Sequence, residues 1–222
     1  MDNNFTTNFI TGIPEIDRLT GSRIENGSFL LAAGNDDEGM LAFLAEIIKI
    51  YERQAEKGKN ESNGCRIVKI DSDNRESFDR FCNPSDDEKN QNLIFIIESI
   101  SELFYSEFYE RNIPFEEQEI INKIHEIGSI LRKRNESAAE NKADNFSVLI
   151  GCLHENTFPM ITENRIKHIS DIYFRFNMEN KGSQFERMIE IYKYKGGNAG
   201  GKILRYTLED GKIQIETKKR IY

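Results

Sequence analysis

Cysteine is scarce and unpatterned in this chain. Cys65, Cys82 and Cys152 are odd in number, widely spaced and form no Cys-x-x-Cys pair. That argues against a disulfide framework or a zinc site and predicts reduced thiols in a cytoplasmic protein. Long apolar runs are missing too. The longest, Phe29–Ala33 and Leu93–Ile97, have about five residues, whereas a membrane span needs ~20, so no membrane insertion is expected. Met1–Asn8 is polar, with neither a basic nor an apolar region, and predicts no signal peptide. Positive charge is in the minority: 30 Lys and Arg face 38 Asp and Glu, for a net charge of −8 and a pI near 5.1. The field of such a molecule repels phosphate, which disfavours nucleic acid and anionic membranes as partners. The aromatic stretch Phe104–Tyr109 does not change this, because acids (Glu102, Glu107, Glu110) flank it where a nucleic-acid platform needs bases. Histidine occurs three times. His125 and His168 fall in or near helices without a paired ligand, and His154 ends a strand.

What is present suffices for a sizeable core: 222 residues, 38% hydrophobic and 31% charged. Short apolar runs alternate with helical periodicity. Phe29–Ala33, Arg66–Ile70, Asn92–Ile97 and Phe146–Cys152 read as buried parallel strands. Met40–Tyr51, Glu76–Phe81 and Phe115–Lys133 read as helices. From Asp171 the pattern shifts to period two, in Asp171–Phe176, Phe185–Tyr194, Lys202–Leu208 and Lys212–Glu216. Asp210-Gly211 between the last two signals a tight hairpin. Glu56–Gly64 and Arg134–Asp144 read as polar loops. The expected architecture is one α/β domain over 1–222: a mostly parallel central sheet with helices on both faces, extended by an antiparallel C-terminal meander.

The first strand runs into Gly34-Asn35-Asp36-Asp37-Glu38-Gly39-Met40-Leu41, directly before a helix. A phosphate-binding loop, G-x-x-x-x-G-K-[ST], occupies that slot in many nucleotide-binding proteins, its Lys neutralising phosphate and its hydroxyl holding Mg²⁺. Here Gly34 and Gly39 keep the spacing, Met40 and Leu41 replace Lys and Ser/Thr, and three acids fill the loop.

Flanking segments carry a resemblance. Thr11-Gly12-Ile13-Pro14-Glu15-Ile16-Asp17-Arg18-Leu19 resembles the TGIPELDRLLGGG entry segment of KaiC-like members of the RecA superfamily. Asn26–Leu31 is similar to the segment that opens their P-loop strand. Leu93–Ile97 with Glu98-Ser99 resembles their Walker B segment, with Glu98 for the usual Asp. Lys193-Tyr194-Lys195-Gly196 resembles their late K-x-R-G, which in the family reaches toward a neighbouring subunit's nucleotide. The Gly-rich stretch Lys195–Ile203 is similar to that of FlaH, an archaellum accessory protein. The resemblance implies a RecA-like three-layer sandwich, archaeal relatives and oligomers in which the chain meets itself or a RecA/KaiC-like paralogue, with Lys193 and Lys195 at the subunit boundary. It also implies damage. Asp71 and Ser72 stand where the family carries the Glu pair that polarises water, so base, Lys, Mg²⁺ hydroxyl and Walker B are all altered. Phosphoryl transfer depends on positioning and charge neutralisation. The expectation is therefore a pseudo-ATPase with no catalytic residue, metal or cofactor, acting through protein contacts. The alternative is weak ATP/ADP binding, with Mg²⁺, or residual ATPase activity in signalling or archaellum-like motility.

Three readings of Asp36-Asp37-Glu38 stay open. The acids cap the helix; or they fill the phosphate site and accept Lys193 or Lys195 from a neighbour; or Asp36, Asp71 and Glu98, all at strand C-termini, hold a divalent cation. Met40 and Leu41 read as packing on the sheet, Ser99 as capping the next turn, and His154 as a solvated loop residue.

Overall fold

The computed structural model describes residues 9–21, 27–57, 65–70, 92–111, 117–140, 147–194 and 200–216. Helix α1 (Pro14–Thr20) begins with proline, whose missing N–H costs nothing at a helix start. Its approach is tied by Asp17, whose carboxylate accepts the Thr11 N–H at 2.7 Å, the Thr11 hydroxyl at 2.8 Å and the Gly12 N–H at 3.0 Å. Then follow β1 (Phe29–Gly34), α2 (Asp37–Lys57), β2 (Cys65–Lys69) and β3 (Asn92–Ile97). The chain continues through α3 (Ile100–Arg111), α4 (Glu117–Glu140), β4 (Ser147–His154) and α5 (Met160–Ile169). It ends with β5 (Ile172–Lys181), β6 (Gln184–Tyr194), β7 (Lys202–Glu209) and β8 (Lys212–Ile215).

The strands form one sheet in the order β2-β3-β4-β1-β5-β6-β7-β8. β2 to β5 are parallel, and β5 through β8 pair antiparallel. Strand parity divides the core. Leu30, Ala32, Phe174 and Phe176 pack with Met40, Phe43, Leu44, Ile47 and Tyr51 of α2 on one face. Leu31, Ala33, Phe95 and Tyr173 pack with Phe104, Ile127, Leu131 and Ile166 of α3, α4 and α5 on the other. β1 and β3 are buried on both faces, which is why they read as unbroken apolar runs.

The expected mostly parallel sheet with an antiparallel extension is the one found. The hairpin at Asp210-Gly211 has positive φ at both residues, 50° and 71°, the signature of a type I′ turn. Arg134–Glu140 departs from expectation, being the end of α4 and not loop. Its Ala and Glu are helix formers, and polarity alone breaks no helix. The Glu76–Phe81 helix lies outside the described residues. Phe104 is buried, whereas Tyr105 is partly exposed and stacks on Phe158 with centroids 5.3 Å apart.

Burial pushes the thiols of Cys65 and Cys152 up to about 12. At pH 8 roughly one in 10⁴ of such groups is thiolate, the reactive form. In the native protein both are therefore expected to react with Ellman's reagent about a thousandfold more slowly than an ordinary thiol. Peptide mapping after native alkylation checks this; ready labelling of either would contradict their burial.

Candidate functional site at the start of helix α2

The segment between β1 and α2 is pinned before it can form an open cradle. Gly34 has φ of 155°, and a Cβ there would lie 1.8 Å from the Phe176 carbonyl oxygen of the neighbouring strand. Asn35 donates its N–H to that same oxygen at 3.1 Å. Its side chain then mimics a further residue of the ladder, accepting the Met178 N–H at 2.8 Å and donating to the Met178 carbonyl at 3.3 Å. Asp36 is next, and the helix starts at Asp37, three residues before the expected Met40.

Asp36 sets that start. Its Oδ1 accepts the Gly39 N–H at 3.1 Å and its carbonyl accepts the Met40 N–H at 3.0 Å, the geometry of an N-cap. Asp37 and Glu38 follow in the first turn, where the helix dipole favours acids. The capping reading therefore holds for Asp36, but capping is only part of its role. Asp36 is 1% exposed, and its carboxylate takes two more donors from the antiparallel extension. Arg187 Nη1 donates to Oδ1 at 2.6 Å, and Tyr206 Oη donates to Oδ2 at 2.5 Å. Arg187 and Tyr206 are cross-strand partners of β6 and β7, so the ladder delivers both together. The other arm of the guanidinium reaches Glu38 Oε2 at 2.5 Å.

Burial lowers the Arg187 pKa, but the hydrogen bond it donates to Glu38 and the charge of Asp36 outweigh it and hold the value above normal. Burial first, then the bond to Asp36, pushes the Tyr206 phenol up, so it stays a donor. Gly39 completes the arrangement: a Cβ there would sit 1.9 Å from the Tyr206 hydroxyl and 3.0 Å from the Asp36 carboxyl carbon.

Gly34, Asp36, Asp37, Glu38 and Gly39 are thus brought together. Met40 is fully buried under the sheet, as expected, whereas Leu41 is 51% exposed and does not pack there. Its position one residue after a core-facing Met turns it off the buried stripe. Among the described residues of this single chain, the cation on the acidic loop is Arg187. Lys193 donates instead to the His168 carbonyl at 2.7 Å and to the Ser170 carbonyl. Glu98 pairs with Lys69 at 2.7 Å. Ser99 accepts the Glu102 N–H at 3.2 Å and caps α3. Asp71 and Lys195 lie outside the described residues, among which no three His, Cys, Asp or Glu side chains cluster as a metal site would require. His154 is the last residue of β4, and its Nδ1 lies 2.6 Å from Asp37 Oδ1.

Arg187 and Tyr206 escape a motif search because they stand 151 and 170 residues from Asp36. One signal does exist. Arg187 shares strand parity with Ile189 and Ile191, which are buried against α2, so a cation occupies a core-facing position and needs a buried anion.

No protein-family model matches the chain, and no curated protein is significantly similar to it in sequence. Solved structures are similar in shape. The KaiC-like protein PH0186 of the hyperthermophilic archaeon Pyrococcus horikoshii OT3 aligns with a TM-score of 0.59 at 13% identity, over 93% of this chain and 97% of that one. The flagellar accessory protein FlaH of Methanocaldococcus jannaschii aligns with a TM-score of 0.52 at 13% identity, over 91% and 95%. No helix of the described residues is long and apolar enough to cross a membrane. Over nearly its whole length the chain has the RecA/KaiC-like α/β fold, with the carboxylate of Asp36 at the helix start that follows its first strand.

Proposed function

We propose that the chain is a single, non-hydrolysing RecA/KaiC-like domain that works through protein contacts, with itself or a RecA/KaiC-like paralogue, as a regulatory or assembly subunit. One observation carries the reading: a buried carboxylate that accepts three hydrogen bonds caps α2 where a phosphate-binding loop would present free N–H groups. The N–H groups of Asn35, Gly39 and Met40 all have protein acceptors. Three acids against Arg187 leave the segment formally two charges negative, His154 counted neutral. Each uncompensated acid near a phosphate costs on the order of 1–4 kcal/mol at about 4 Å. Exposed apolar residues such as Met160 and Ile161, adjacent on α5, supply surface for a protein partner. Size-exclusion chromatography with light scattering addresses the partner: self-association supports a homo-oligomer, and a strict monomer leaves a paralogue.

Titration calorimetry with ATP·Mg²⁺ and ADP·Mg²⁺ in chelator-treated buffer tests the site. No heat is expected up to millimolar nucleotide, and micromolar binding would overturn the reading in favour of a nucleotide-binding or hydrolysing protein. Met40→Lys with Leu41→Thr is expected not to restore affinity. Met40 is fully buried, so a lysine there is placed in the core, and Asp36 still caps the helix.

A further inference from the structure

A cleft of about 460 Å³ opens on the face of the sheet opposite α2, between the last turn of α5 and the strands β5 and β6. Its walls include Lys167, His168, Tyr173, Arg175, Tyr192 and Lys193. Three are cations and, among the described residues, no carboxylate lines the cleft, in a chain whose net charge is −8. Glu163 and Glu155 pair with Lys167 and Arg175 at 3.5 and 3.1 Å, and Glu190 lies opposite Arg175 in the ladder. The ammonium of Lys193 differs. It is fixed by two backbone carbonyls at the end of α5, acceptors that position the amine without cancelling its charge. The second element of the site is aromatic. The pairing of β5 and β6 slips between Tyr173 and Phe174, opposite Lys193 and Ile191, leaving Tyr192 as the extra residue of a bulge. Bulges re-aim side chains, and this one sets Tyr192 against Tyr173, centroids 5.3 Å apart, with 60% of it exposed. Lys167 lies 6.0 Å from the Tyr173 ring centroid.

We propose that this cleft binds a small aromatic acid, a single planar ring carrying a carboxylate or phosphate, with the ring on Tyr192 and the acid group among Lys193, Lys167 and Arg175. The volume suits a one-ring ligand, and the negative field of the whole molecule disfavours polyanions. Saturation-transfer NMR on the full chain tests this, with phenyl phosphate and benzoate as probes and phenol as the half-ligand that lacks the acid group. Ring-proton saturation from at least one aromatic acid is expected, and phenol should bind at least about fivefold more weakly. The stronger of the two acids identifies the head group. Tyr192→Ala, an exposed position, should weaken binding about fivefold and leave the melting temperature unchanged. Lys167→Gln should weaken it similarly and lower its salt dependence. No saturation from either acid at 10 mM (roughly the weakest affinity worth calling a site), or saturation indifferent to both substitutions, would overturn the proposal.

Discussion

Asp36→Ala is expected to be the most damaging single substitution at the α2 start, destabilising the protein by about 3–5 kcal/mol. The figure follows from what the carboxylate holds. Its loss removes a helix cap, ordinarily ~0.5–2 kcal/mol. It also leaves the Tyr206 hydroxyl and one arm of Arg187 without their acceptor in a region where Asp36 is 1% exposed. Deleting one partner of a buried ion pair costs ~3–5 kcal/mol because the survivor stays desolvated, and the cap term overlaps with it. For a chain of this length that is a fall of roughly 6–20 °C in Tm. Asp36→Asn keeps a capping oxygen and the shape, and should cost less. Asp36→Asn combined with Arg187→Met should recover part of the Asp36→Ala loss, because a buried pair replaced by neutral groups is often harmless and Glu38 is left exposed to water. Denaturant titration of the three variants checks the order. A loss below ~1 kcal/mol for Asp36→Ala would mean the carboxylate is not the hub of this region.

The architecture was largely legible in the sequence, for physical reasons that differ by element. β1 and β3 are covered on both faces, so five or six consecutive apolar residues announce them. β6 and β7 have one wetter face, so alternation announces them. α4 was legible only as far as its apolar stripe continues; beyond Lys133 the sequence offers no large apolar residue to mark a face, although Ala and Glu there are helix formers and the helix runs on to Glu140. The candidate site was half legible. Gly34, the acids and Gly39 are adjacent in sequence and matched a loop pattern. Arg187 and Tyr206 reach them through the register of two antiparallel strands, which no local pattern encodes. Reading Arg187 as a charge on the core-facing parity of β6 would have predicted a buried acid, though not which one.

Gly39→Ala should destabilise the protein by about 2–4 kcal/mol, and Tyr206→Phe should rescue part of that loss. Alanine is the better helix former by about 1 kcal/mol, and Gly39 is the third residue of α2, so propensity predicts a gain. Space decides otherwise. A Cβ would lie 1.9 Å from the Tyr206 hydroxyl, with the next atoms, those of the Asp36 carboxyl group, at 3.0 Å. Accommodating it displaces the phenol from Asp36, and a buried hydroxyl without its partner costs ~1–3 kcal/mol on top of overpacking of similar size. Tyr206→Phe alone forfeits one hydrogen bond, about 1–2 kcal/mol. In the double variant the clashing atom is gone, so the two losses should fall short of additivity by ~1–2 kcal/mol, a coupling that a double-mutant cycle resolves. Strict additivity would mean that Tyr206 does not confine Gly39, and the glycine would then need another cause, such as close approach of a ligand to the backbone. Coupling gives the spacing of Gly34 and Gly39 a cause inside the fold: one glycine clears the Phe176 carbonyl, the other clears a tyrosine bound to Asp36, and neither requires a phosphate.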